Sequence, residues 1–103
     1  MQRLDAASLT QELIALPKWK FCPERGGHIC RSFEFADFAE AFGFMARMAM
    51  DAERRGHHPE WCNVYNRVDI TLTTHDVGGL SMNDIVSAKL ADQLHACAPR
   101  VVA

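Results

Sequence analysis

No stretch of this chain is basic enough to hold a polyanion, and none is apolar enough to cross a bilayer. Its 11 Lys and Arg are outnumbered by 13 Asp and Glu, for a net charge of −2. The electrostatic footprint of direct nucleic-acid binding is missing. The longest apolar stretch, Ala41 to Met50, is interrupted by Arg47 and falls short of membrane-spanning length. Met1-Gln2-Arg3-Leu4-Asp5 has no apolar core like that of a signal peptide. A cytosolic location is expected. Cysteine is sparse: Cys22, Cys30, Cys62 and Cys97 show no Cys-x-x-Cys spacing. They read as reduced, packed thiols rather than as a disulfide framework or a zinc site. No repeat, low-complexity segment or linker divides the 103 residues, so a single domain over residues 1–103 is expected.

What is present is the pattern of an ordinary small globular protein, with 49% hydrophobic and 23% charged residues. A chain of this size buries a modest core, and oligomerisation is a natural source of further stability. Ser8, with Gln11 three residues on, predicts the capping box of a short helix. Leu9, Leu13 and Leu16 line its apolar face, and Pro17 stops it. Trp19 and Phe21 alternate with two lysines, and Ile29, Phe33 and Phe35 alternate with polar residues. These runs predict a hairpin joined by turn residues at 23–27, with Arg31 breaking the apolar side of the second strand.

Asp37, with Glu40 at the box position, opens the longest helix. Phe38, Phe42, Met45, Ala49 and Ala52 form its apolar stripe, and Phe44 and Met48 widen the arc round one flank. That flank is read as a subunit interface. Trp61 to Asn66 and Val68 to Thr74 predict a second hairpin, turning near Asn66-Arg67. Ser81 and Asp84 cap a last helix whose stripe is Val86, Leu90, Leu94 and Cys97. The order αββαββα predicts an α+β fold: a four-stranded antiparallel sheet with helices packed on one face.

The chemistry concentrates in Gly56-His57-His58-Pro59-Glu60-Trp61. Pro59 pushes His58 towards extended backbone, and neighbouring side chains on extended backbone diverge. The two imidazoles are therefore expected to do different jobs. His75, at the end of a strand-like run, is the third member of the cluster. Histidine titrates nearest neutrality, so such a cluster suits proton transfer. Taken alone, a His-His pair after a helix is an ordinary surface loop. Pro59, the flat face of Trp61 and the Gly-rich loop after His75 favour a site. A three-histidine metal site ranks below acid–base chemistry, because Glu-x-x-His and His-x-His spacings are lacking. Cys62, mid-strand and without a partner, is a weak nucleophile. Glu53, one turn before His57, is positioned to orient an imidazole or to bind a substrate N–H.

From Ala41-Phe42-Gly43-Phe44-Met45 through the histidine segment, Asn63-Val64-Tyr65-Asn66, Thr71-Leu72-Thr73-Thr74-His75 and Gly79-Leu80-Ser81 to Asp84, the chain closely resembles pterin-4a-carbinolamine dehydratase. The specific motifs cover roughly the C-terminal two thirds, and the first helix and hairpin fit in order. The resemblance implies a reaction: dehydration of 4a-hydroxytetrahydropterin to quinonoid dihydropterin, recycling the cofactor of aromatic amino acid hydroxylases. It implies His57 and His75 as acid–base residues, with His58, also in the catalytic cluster, mainly holding the pterin. Glu53, Pro59, Trp61 and Asp84 are implied around the substrate. The pterin is the substrate, and no metal or organic cofactor is implied. The resemblance also implies a homodimer or homotetramer. Animal members stabilise dimers of a homeodomain transcription factor, so a non-enzymatic scaffold is the alternative; a metal-dependent hydrolase ranks third. Many relatives carry a basic residue just before the last-helix Asp where this chain has Asn83. That departure puts a charge-based rim contact in question but leaves the histidine core.

Overall fold

The computed structural model describes residues 1–98; residues 99–103, the end of the expected domain, lie outside the described residues. The elements are α1 (Ala6–Leu13), β1 (Lys20–Cys22), β2 (His28–Glu34), α2 (Phe38–Arg55), β3 (Glu60–Val64), β4 (Arg67–Leu72) and α3 (Met82–Ala96). Short 3-10 turns occupy Glu24–Gly26 and His75–Val77. The expected α+β order is met. All strand pairs are antiparallel, in the spatial order β1-β2-β4-β3.

The period-two pattern divides the sheet into two faces. Ile29 and Phe33 on β2, and Val68, Ile70 and Leu72 on β4, are buried beneath α2 and α3. Ser32 and Asp69 face each other on the opposite side, their side chains hydrogen-bonded at 2.5 Å. Arg31, which interrupts the apolar side in sequence, pairs with Ile70 on the core face. It is held there by Asp92 of α3 at 2.6 Å and lies over the Phe33 ring at 4.2 Å. Asp92 Oδ1 also accepts from Trp19 Nε1 at 2.8 Å, so one carboxylate oxygen serves both donors. The arrangement satisfies a charge that the core could not otherwise accommodate.

The helices differ from the sequence reading in which face they bury. On α2 the core residues are Ala41, Phe44, Met48 and Ala52. Phe38 and Phe42, expected inside, are 49% and 58% exposed. Ala49 is exposed too, and Met45 is half-buried. Phe44 and Met48, expected at an interface, belong to the core of the monomer. The arc was wide enough to admit either face, and Phe33 and Phe35 select Phe44, with ring centroids at 5.1 and 4.9 Å. On α3, Ile85, Ala88 and Ala91 are buried, whereas Val86, Leu90 and Leu94 are half-buried and Cys97 is exposed. Small alanines let α3 approach closely, which an alignment by side-chain size overlooks.

Caps follow the same logic. Asp5, not Ser8, caps α1, accepting from the Ser8 N–H at 2.7 Å. Asp37 caps α2 through the Glu40 N–H at 2.8 Å, and Ser81 with Asp84 forms the predicted capping box. The second hairpin turns at Tyr65-Asn66, one residue earlier than expected, with Tyr65 at φ 50°. All four cysteines are free thiols; Cys62 and Cys97 are exposed rather than packed. Burial, then the neighbouring Cys22, pushes the Cys30 thiol up.

Candidate active site

Gly56 ends α2 in the left-handed region, at φ 67°, a conformation that glycine adopts without penalty. The reversal sends the chain straight into His57 and His58. A cleft of about 350 Å³ opens there, lined by residues that include His57, His58, Pro59, Glu60, Thr73 and His75. The end of α2, the start of β3 and the end of β4 therefore meet at one place. A volume of this order suits a small bicyclic molecule.

Each imidazole has its own carboxylate. His57 is buried, with Nε2 2.6 Å from Oδ1 of Asp84. Asp84 is fully buried, and its Oδ2 accepts from the Thr74 hydroxyl at 2.7 Å and from the Ser81 N–H at 2.9 Å. The carboxylate oxygen accepts, so His57 Nε2 carries a proton. His58 is exposed, and its Nε2 donates to Glu53 Oε1 at 2.8 Å. His75 stands at the rim, 75% exposed, with Nε2 3.4 Å from Glu60 Oε2. The divergence expected at Pro59 is present: adjacent histidines serve a buried and an open carboxylate.

Glu60 is also held by Arg25, at 2.9 Å. The Arg25 hydrogen bond keeps the Glu60 carboxyl below its usual range; burial opposes the lowering, and the charges of Arg25 and His75 add to it. The same contact raises the Arg25 guanidinium. Arg25 belongs to the first hairpin turn, where it takes φ 57°. That turn is pinned to the His75 turn by backbone contact: a Cβ on Gly26 would lie 1.9 Å from the Gly78 carbonyl oxygen.

Of the residues expected at the site, His57, His58, His75 and Pro59 line the cleft. Glu53 reaches it through His58. Asp84 lies beneath His57, and Trp61 packs half-buried against the hydrophobic core; neither lines the cleft. Asn83 does not line it either; its N–H meets the Ser81 hydroxyl at 3.3 Å. Sequence reasoning missed Glu60, Arg25 and Thr74. Glu60 had a signal, since it directly follows Pro59 at the mouth of a strand. Arg25 had none, because it comes from a remote turn.

These features define a class: a small α+β protein whose cleft holds paired imidazoles and carboxylates suited to moving protons. The chain belongs to the pterin 4 alpha carbinolamine dehydratase family, whose model matches residues 2–94. A protein of Rhodospirillum rubrum carrying the provisional name pterin-4-alpha-carbinolamine dehydratase is 52% identical over 92 residues, covering 89% of this chain and 95% of the relative. A Burkholderia ambifaria protein of the same provisional name is 51% identical over 98 residues, covering 95% and 93%. The crystal structure of a transcriptional coactivator/pterin dehydratase from Brucella melitensis superposes with a TM-score of 0.85 at 45% identity, over 90% of this chain and 98% of that one. A pterin dehydratase-like RuBisCO assembly factor of the α-carboxysome shares the fold, with a TM-score of 0.66 at 23% identity over 80% and 93%.

Proposed function

We propose that the protein dehydrates 4a-hydroxytetrahydropterin to quinonoid dihydropterin, acting as a hydro-lyase. The observation that carries this reading is the set of imidazole–carboxylate pairs around one cleft: His57 with Asp84, His58 with Glu53 and His75 with Glu60. The reaction breaks the C4a–oxygen bond and forms a carbon–nitrogen double bond in the ring. An acid delivers a proton to the departing hydroxyl, which leaves as water, and a base takes a proton from the ring nitrogen. No electron is transferred, so the step calls for no redox cofactor. His57 and His75 are the acid–base pair in this reading. His58, steadied by Glu53, holds the pterin over Pro59.

Asp84 is a positioning residue here. It fixes the tautomer of His57 and contacts no substrate, because it is sealed beneath the ring. Glu60 plays the same part for His75 from the open side. Trp61 supports the cleft from the core side of β3. The enzyme in this reading is cytoplasmic and serves tetrahydropterin recycling for aromatic amino acid hydroxylation. No helix among the described residues is long and apolar enough to cross a membrane. The assembly in this reading is a homodimer or homotetramer, built partly on the exposed Phe38 and Phe42 of α2, whose rings lie 6.0 Å apart.

Turnover tests the proposal. Purified protein should accelerate dehydration of synthetic 4a-hydroxytetrahydropterin, followed spectroscopically against the uncatalysed rate. Absence of acceleration would transfer the case to the second reading, a scaffold for a protein partner. The Brucella melitensis relative, described as both coactivator and dehydratase, is the observation that keeps that reading open.

A further inference from the structure

A second group of donors, none of which lines the cleft, sits at the mouth of the first hairpin. Cys22, Glu24 and His28 each offer one ligand atom, and these atoms all lie within 4.8 Å of one another. Cys30 stands beside them, its Sγ 4.0 Å from that of Cys22. Strand register produces the grouping. Cys22 faces His28 and Lys20 faces Cys30 across the β1–β2 pair, so Cys22, His28 and Cys30 share one face of the sheet. It is the face opposite to that of the buried Ile29. Glu24 arrives from the intervening 3-10 turn.

We propose that Cys22, Glu24, His28 and Cys30 form a tetrahedral site for a divalent transition metal of the zinc class. Two sulfurs, an imidazole nitrogen and a carboxylate oxygen are a donor set that zinc accepts. Zinc–ligand bonds of about 2.0–2.3 Å place tetrahedral ligands about 3.3–3.8 Å from one another. The two sulfurs are near that separation already. Binding requires Glu24 and His28, whose ligand atoms lie within 4.8 Å of the Cys22 sulfur, to turn toward the sulfur pair; Glu24 is open and Cys22 and His28 are half-buried.

His28 is prepared for ligation by its own turn. Its Nδ1 lies 3.1 Å from the backbone carbonyl of Glu24. A carbonyl only accepts, so Nδ1 carries the proton and the lone pair is on Nε2. Ligation through Nε2 preserves that bond, which is the outer support that metal-bound histidines commonly have. On binding, each thiol gives up its proton to solvent and the thiolate enters the coordination shell. Four protein donors fill the shell, so the metal acts as a clip across the hairpin of the edge strand β1 rather than as a reaction centre.

The test uses the reduced, metal-free full chain, titrated with zinc chloride by calorimetry and with cobalt chloride by absorption. One metal per chain is expected, with a thiolate-to-cobalt charge-transfer band and the intense visible bands of tetrahedral cobalt. Zinc should slow modification of Cys22 and Cys30 by a thiol reagent, while the exposed Cys62 and Cys97 react at an unchanged rate. Cys22→Ser and His28→Ala should each weaken binding by more than about 100-fold, exceeding the 10–100-fold typical of losing an outer support. His58→Ala and His75→Ala should bind zinc as the parent does. The proposal is overturned by absent zinc uptake, by uptake unchanged in both hairpin variants, or by loss in the cleft variants. A Cys22–Cys30 disulfide in a protein that takes up no zinc after reduction overturns it too. Thiol protection is read on the unaltered chain, so it decides the matter even if a variant fails to fold.

Discussion

Three histidines with three different carboxylates make three different residues of one amino-acid type. His57 is sealed against Asp84, whereas His75 stands exposed at the rim beside Glu60. A positioned acid or base contributes about 10²–10⁴-fold to a rate. His57→Ala and His75→Ala are each expected to lower kcat substantially, and the double variant to approach the uncatalysed rate. The two losses need not add, because the residues act as a unit. His58→Ala should mainly raise KM, since its role is to hold. Circular dichroism checks folding; a folded double variant with the parent kcat rules out histidine catalysis. Asp84→Ala tests the positioning role. It strands the His57 N–H and the Ser81 N–H, at about 1–3 kcal/mol for each buried group left unsatisfied, while the Thr74 hydroxyl keeps the Ser81 hydroxyl as a partner. A fall in Tm is therefore expected from Asp84→Ala. Asp84→Asn, which retains shape and one acceptor oxygen for the Ser81 N–H and Thr74 hydroxyl, should lose less stability while still lowering kcat, because its amide N–H turned to His57 reverses the tautomer. Equal Tm losses in the two variants would count against this account.

At the scale of the element, α2 shows how a wide apolar arc is divided. Its inner flank carries Phe44 and Met48, 3% and 2% exposed, under the sheet. Its outer flank carries Phe38 and Phe42. A charge at the inner flank destroys packing, at a cost of about 3 kcal/mol or more. A charge at the outer flank costs the monomer little. Phe44→Glu is therefore expected to unfold the chain. Phe42→Glu should keep the helical signal and lower the mass seen by light scattering. A parent protein that is already monomeric, or an unchanged mass in Phe42→Glu, removes α2 from the assembly.

At the scale of the whole molecule, two turns distant in sequence touch beside the cleft. Gly26 approaches the Gly78 carbonyl, and Arg25 thereby reaches Glu60 on another strand, beside His75. The depressed carboxyl of Glu60 gives this contact a pH signature. A carboxyl whose folded value is lowered contributes stability above its unfolded value, near 4.5, and loses it as pH falls through the folded value. Both partners are exposed, so the contribution is small and screened by salt. Glu60→Gln should lower the urea midpoint slightly at neutral pH. The difference from the parent should vanish on acidification well below pH 4.5. A gap that persists in acid would mean that Glu60 acts by packing rather than by charge.

Much of the fold was decided by local sequence. Alternation fixes which side of a strand is apolar, and Asp37, Gly56, Ser81 and Asp84 mark helix ends through hydrogen bonds made within a few residues. Pro59 separates the two histidines for the same local reason. The tertiary structure alone decided the rest. Which flank of α2 is buried depends on Phe33 and Phe35, rings that another element supplies. Arg31 is tolerable in the core because Asp92 arrives from α3. Arg25 joins Glu60, and Cys22 joins His28, because chain reversal places them side by side. Periodicity and capping act over a single turn or pleat, so a sequence displays them directly. Contacts between elements depend on where the chain returns, and that is settled only when the whole core closes.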